Sequence, residues 1–214
     1  KSFGESENPP LSIRGENSYS QYTNSRGYIN YHRQFNEHDV TGLLLYQQQK
    51  IIHGQQLPYN LEGLAARVSY NYDMRYFAEF NAGYNGSEQF AKGNRFGFFP
   101  AISGAWLASN ELFLQNNRIL THLKLRASHG KVGNDRIGGT RFLYMDDISV
   151  VPGGLGSLGR GQLINISLLG NRALTWEVAN KSNVGIDFEL LSSIAVNMDF
   201  FYEKRNNILP KFLK

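Results

Sequence analysis

Leu61–Tyr84 reads LEGLAARVSYNYDMRYFAEFNAGY, and its alternation decides the fold. Up to Tyr72 the apolar side chains fall on Leu64, Ala66, Val68, Tyr70 and Tyr72, with Gly63, Ala65, Arg67, Ser69 and Asn71 between them. After Asp73–Arg75 the pattern resumes, with Tyr76, Ala78, Phe80, Ala82 and Tyr84 set against Phe77, Glu79, Asn81 and Gly83. A period of two places one set on each face of a sheet. The stretch predicts two antiparallel strands joined by a tight turn. One face is apolar and ends in tyrosines; the other is small, polar and charged. A soluble sandwich alternates in the same way, so alternation alone does not separate water from lipid.

The same reading extends along the chain. Strands are expected at about Arg26–Phe35, Val40–Gln49, Phe98–Ala108, Ile119–Val132, within Ala173–Leu191, and at Ile194–Leu209. Leu43–Leu45 blurs which face of its strand is apolar, and Pro100 suggests an interrupted ladder. Residues 1–25 are polar, carry Pro9–Pro10 and read as loop. The connections run short (36–39), long (51–60), short (73–75), long (85–97), moderate (109–118), very long (134–172) and short (191–193). Consecutive antiparallel strands put alternate connections at opposite ends, so the short ones share one end and the long ones the other. Outer-membrane barrels have this asymmetry, with short periplasmic turns and long extracellular loops. A sandwich has no reason for it.

Composition agrees. The chain has 214 residues, 41% of them hydrophobic, with Tyr 12, Phe 14 and Trp 2. Its mean hydropathy is -0.39, and no apolar run approaches the roughly 20 residues of a spanning helix. A barrel escapes that test because every second residue can be polar. Cys is 0, which excludes disulfides and thiolate metal sites. The net charge of +4 is scattered, so no nucleic-acid footprint is expected. The sequence starts at Lys1 and shows no initiator Met, leader or cleavage site, which suggests a processed chain or an internal fragment.

Several segments carry a family resemblance. Gly42–Gln47 (GLLLYQ), Arg75–Ser87 (RYFAEFNAGYNGS), Arg95–Ala101 (RFGFFPA), Leu123–Asp135 (LKLRASHGKVGND), Leu174–Glu177 (LTWE), Asn183–Phe188 (NVGIDF) and Phe201–Lys204 (FYEK) occur in series. Together they resemble the SusC/RagA family of TonB-dependent outer-membrane transporters of Bacteroidota. His129 departs from it, standing where an aromatic residue is expected. The resemblance implies an all-β fold, an antiparallel transmembrane β-barrel segment supplying about eight strands of a roughly 22-stranded, plugged barrel. Residues 1–25 would be an extracellular loop region and 26–214 a partial barrel without its plug domain. It also implies import of glycan or peptide fragments with a SusD-like surface lipoprotein as lid. TonB–ExbB–ExbD would power it through an N-terminal part that this stretch does not contain. The alternatives are a soluble all-β carbohydrate-binding module and a passive porin-like barrel.

No catalytic residue, cofactor or metal site is expected. Gly154–Gly159 (GLGSLG) matches a dinucleotide fingerprint formally, but Pro152 precedes it and no helix follows. His32, Glu37 and His38 do not share a strand face, and Asp146–Asp147 lacks a calcium-loop signature. Arg67, Glu79, Lys124, Arg126, Asp187 and Glu189 fall on the polar face. They either line a substrate path or form hydrated cross-strand pairs. Tyr70, Tyr72, Tyr76 and Trp106 flank the short-turn end as a candidate membrane girdle. Trp176 lies near the long-loop end, where it is a candidate for stacking on a sugar or for an upper girdle.

Overall fold

A computed structural model describes residues 19–54, 57–115, 117–136, 141–153 and 161–208. The glycine-dense 154–160 and most of the N-terminal loop region lie outside the described residues. The strands are β1 (Ser20–Phe35), β2 (His38–His53), β3 (Tyr59–Tyr72), β4 (Tyr76–Ser87), β5 (Phe96–Leu107), β6 (Leu120–Asn134), β7 (Asp147–Gly153), β8 (Gly161–Leu168), β9 (Glu177–Leu190) and β10 (Ile194–Asn206). Eight of them form one sheet in the order β1-β2-β3-β4-β5-β6-β9-β10, each pair antiparallel. The sheet is an open meander, not closed on itself, with β1 and β10 at its edges.

Three expectations are corrected. The first strand starts at Ser20 rather than Arg26, because Ser20–Ser25 pair with His53–Gln48. These polar residues carry no apolar pattern, so only the ladder reveals them. The 134–172 stretch holds a hairpin, β7–β8, in a two-stranded sheet of its own. The sandwich alternative fails among the described residues, because nothing covers the sheet's apolar face. Ile102 there is 61% exposed and Phe200 71%.

Register assigns the faces. Tyr46, Leu64, Tyr84 and Phe98 form one cross-strand row, and His38, Tyr72, Tyr76 and Trp106 another. Between these rows the apolar face carries Val40, Gly42 and Leu44 on β2, Ala66, Val68 and Tyr70 on β3, Ala78, Phe80 and Ala82 on β4, and Pro100, Ile102 and Gly104 on β5. Leu125, Ala127, Ile186, Val184, Met198 and Phe200 continue it. The Leu43–Leu45 run resolves accordingly: Leu44 joins the apolar face, while Leu43 and Leu45 lie opposite Arg67 and Ala65 on the other.

The turns at the short end are tight. Asp73 and Met74 have φ of 49° and 52°, and Leu191 and Ser192 of 54° and 51°. Arg75 N–H donates to the Tyr72 carbonyl at 2.9 Å and Ser193 N–H to that of Leu190 at 3.0 Å. Two positive φ angles make these hairpin turns whose twist matches the strands.

The buried apolar cluster lies at the other end. Phe90 and Trp176 form its centre, with Leu61, Phe99, Leu174 and Val178 against them. Pairing of β5 with β6 runs only from Ala101 to Leu107. Above Ala101, Phe99 places its ring over Gly97 and Gly133 and meets Trp176 edge-on at 5.2 Å. A Cβ at Gly133 would enter the Phe99 ring.

Candidate functional site

The polar face carries recesses. A recess of about 380 Å³ on it draws lining residues from β2, β3, β4, β5, β6 and β9. Its floor follows one cross-strand row, Thr41–Ser69–Glu79–Ser103–Ser128–Asn183. Thr41, Ser69, Ser103 and Ser128 in this row are small, and Lys124 and Arg126 also line the recess.

The six charged candidates on this face resolve into pairs and singles. Arg67 Nε donates to Glu79 Oε2 at 2.8 Å, and Asn81 donates to the other Glu79 oxygen at 2.7 Å. Arg126 is the hub of a second group. Its Nε and Nη2 donate to Asp187 at 3.1 and 3.2 Å, and Nη2 also reaches Asp199 at 2.8 Å. Lys124 lines the recess and Glu189 faces His122 across the ladder; neither forms an ion pair among the described residues. Asp199 was not singled out in sequence. It lies two strands from Arg126, and only the strand order β6-β9-β10 brings them together.

His32 and His38 lie on opposite faces. His32 meets Asp39 at 2.9 Å on the polar side, and His38 meets the Tyr70 hydroxyl at 2.7 Å on the apolar side. Asp146 accepts the Gly170 N–H at 2.8 Å, closing the base of the β7–β8 hairpin. No group of metal-binding side chains occurs among the described residues.

The short-turn end carries a row of rings across the apolar face. Phe35 stacks on His38 at 5.2 Å, His38 meets Tyr72 at 4.9 Å, and Tyr72 stacks on Tyr76 at 6.3 Å. Trp106 is the next in register. Glu111, from the β5–β6 connection, ties this row together. It accepts from Tyr76 Oη at 2.5 Å, Trp106 Nε1 at 3.1 Å and Arg75 Nη1 at 3.0 Å. Those donors, the tyrosine and indole first, hold its carboxyl below the ordinary value of 4.5. Sequence reading passed over Glu111 because nothing local marks it.

The sugar-stacking and girdle readings of Trp176 are corrected. Trp176 is 4% exposed, its ring wedged between Phe90 and Phe99, and its Nε1 donates to the Arg95 carbonyl at 3.0 Å. It has no free face for a sugar or for lipid. It belongs to a knot that roots the long connection. Arg141 donates to the carbonyls of Leu57 and Pro58 at 2.7 and 2.8 Å. Asp135 accepts from Tyr59 Oη at 2.5 Å and Ser87 Oγ at 2.6 Å.

No family model matches the chain. Curated relatives do. TonB-dependent receptor P3 of Formosa agariphila is 28% identical over 227 residues, covering 89% of this chain and 22% of the relative. TonB-dependent receptor P26 of the same organism is 28% identical over 153 residues, covering 71% and 15%. TonB-dependent receptor SusC of Bacteroides thetaiotaomicron is 30% identical over 152 residues, covering 67% and 14%. The chain thus spans less than a quarter of the length of these relatives. Among solved structures, the RagAB peptide transporter superposes with a TM-score of 0.74 at 20% identity, over 90% of this chain and 24% of that one. At that identity the superposition establishes the fold. Sequence relatives, strand order and the superposition agree, and the chain belongs to the SusC/RagA family of TonB-dependent receptors, of whose transmembrane barrel it forms eight neighbouring strands.

Proposed function

We propose that this stretch is wall and loop of an outer-membrane importer for glycan or peptide fragments. The observation that carries the reading is the charge-free apolar band. From the Tyr72–Tyr76–Trp106 row to the Tyr46–Leu64–Tyr84–Phe98 row, β2–β5 place no charged side chain on that face. Tyr76 and Tyr84 are eight residues apart on β4, about 26 Å along the strand, which suits an apolar band about 25 Å tall once tilt is allowed for. Tyr70, Tyr72, Tyr76 and Trp106 then form a girdle at the periplasmic interface. The long connections and the β7–β8 hairpin lie on the extracellular side.

In this reading Arg67, Glu79, Lys124, Arg126, Asp187 and Glu189 face the lumen and give the path a hydrated wall. Binding and gating involve the plug, a SusD-like lipoprotein at the extracellular mouth, and TonB–ExbB–ExbD acting through the N-terminal part of the receptor. The names of the relatives, SusC and the RagAB peptide transporter, support a nutrient cargo. The test is uptake of fluorescent oligosaccharide and peptide pools by cells with and without the full receptor gene. Import should vanish on deletion and stop when a protonophore removes the energy supply. Receptor-dependent uptake that survives the protonophore would make the barrel a passive pore.

A further inference from the structure

We infer that the β5–β6 connection anchors the short-turn rim in the lipid interface, with Leu112 and Phe113 as the inserted side chains. The inference rests on the membrane-barrel reading above. Tyr76 and Trp106 belong to the apolar face, and Glu111 accepts hydrogen bonds from both. The connection therefore folds over the membrane-facing side of the rim and not across the lumen. Leu112 and Phe113 follow Glu111 directly, one residue step of about 3.8 Å each. They are 84% and 72% exposed, the least covered of the large apolar residues in this connection.

The segment is built, not loose. A 3-10 turn, Ala108–Asn110, leads into it with Ala108 buried. Leu114 N–H and Gln115 N–H both return to the Glu111 carbonyl at 2.9 Å. Asn110 Nδ2 donates to the Met74 carbonyl at 2.9 Å, and Leu107 N–H donates to the Arg75 carbonyl at 2.7 Å. A rigid segment that holds two large apolar side chains away from the protein needs an apolar phase to receive them. The phase continuous with the Tyr76–Trp106 row is lipid. Aromatic and aliphatic side chains beside cations are the usual make-up of an interfacial anchor, and Arg118 is exposed on the same connection. The carboxylate this brings to the membrane edge is compensated by Arg75 and two neutral donors.

The test uses the full receptor in phosphatidylethanolamine–phosphatidylglycerol vesicles, with a nitroxide placed singly at Leu112→Cys, Phe113→Cys, Asn117→Cys and Val68→Cys. This stretch has no cysteine of its own, and three of the sites are exposed loop positions, so folding is not at stake there. At 112 and 113 collisions with oxygen should exceed those with an aqueous nickel complex severalfold, as at 68, with the order reversed at 117. Nickel-dominated collisions at 112 and 113, with 68 still in lipid, overturn the anchor and leave the barrel standing. Exclusion of both reagents there also overturns it, since the occupant would then be protein. Nickel-dominated collisions at 68 would instead defeat the membrane-barrel reading.

Discussion

Arg126 on β6 reaches past β9 to Asp199 on β10, donating from Nη2 at 2.8 Å while its other bonds hold Asp187. One guanidinium thereby staples three strands on the lumen face. A carboxylate from each neighbour satisfies a fork that a single lysine could not.

Replacing Arg126 with Met should therefore loosen β10 before anything else. Amide exchange in Ile194–Asn206 should rise while that of β3 and β4 stays unchanged. Asp199→Asn keeps an acceptor for the guanidinium and should give a smaller rise, and Arg126→Lys an intermediate one. Equal exchange in all three variants would show that the ladder alone holds the strand.

Trp176 is the centre of the long-loop knot. Trp176→Ala should cost about 3 kcal/mol or more, as loss of a large buried aromatic does, and Trp176→Phe clearly less. Gly133→Val should behave like the alanine variant, because its side chain would enter the ring of Phe99. Urea titration of the receptor, followed by the mobility shift between folded and unfolded barrel in gels, reads each change.

The Leu191–Ser192 turn departs from the usual composition. Both residues sit at positive φ, where Asn and Gly are favoured and a branched or bulky side chain costs about 1 kcal/mol. Leu191→Asn with Ser192→Gly should raise stability by roughly that amount. An unchanged or lowered urea midpoint would mean that Leu191 earns its place outside the turn.

Glu111 gives a pH prediction. Its carboxyl is held below the ordinary 4.5, so the tie contributes fully above that value and fades as pH falls through the depressed one. Glu111→Gln cannot ionise. The stability gap between wild type and this variant should be constant near neutrality and close in strongly acidic solution. A gap that persists unchanged at pH 3 would detach the tie from ionisation.

Much of the architecture was legible in the chain. A period-two pattern needs only neighbours in sequence, so Leu61–Tyr84, the faces of β9 and β10 and the positions of the short turns could be read directly. Connection length sorted the two ends only in part, because the β5–β6 connection at the short-turn end is longer than those joining β2 to β3 and β4 to β5. The resemblance in Leu123–Asp135 and Asn183–Phe188 placed the strands in a family. The polar face of Arg67, Glu79, Lys124, Arg126, Asp187 and Glu189 follows from the same parity.

What the tertiary structure alone decided is who meets whom across long separations. Asp199 reaches Arg126 because the register across β9 sets Arg126, Gly185 and Asp199 in one row. Glu111 carries no pattern of its own; it becomes a clasp when the β5–β6 connection folds back onto Tyr76 and Trp106. Trp176 resembles an exposed aromatic at a strand end until Phe90 and Phe99 close over it. Alternation reports which face a side chain takes, because backbone geometry fixes it locally. Pairing, burial and ion-pair partners depend on the register of distant strands, which no local pattern encodes.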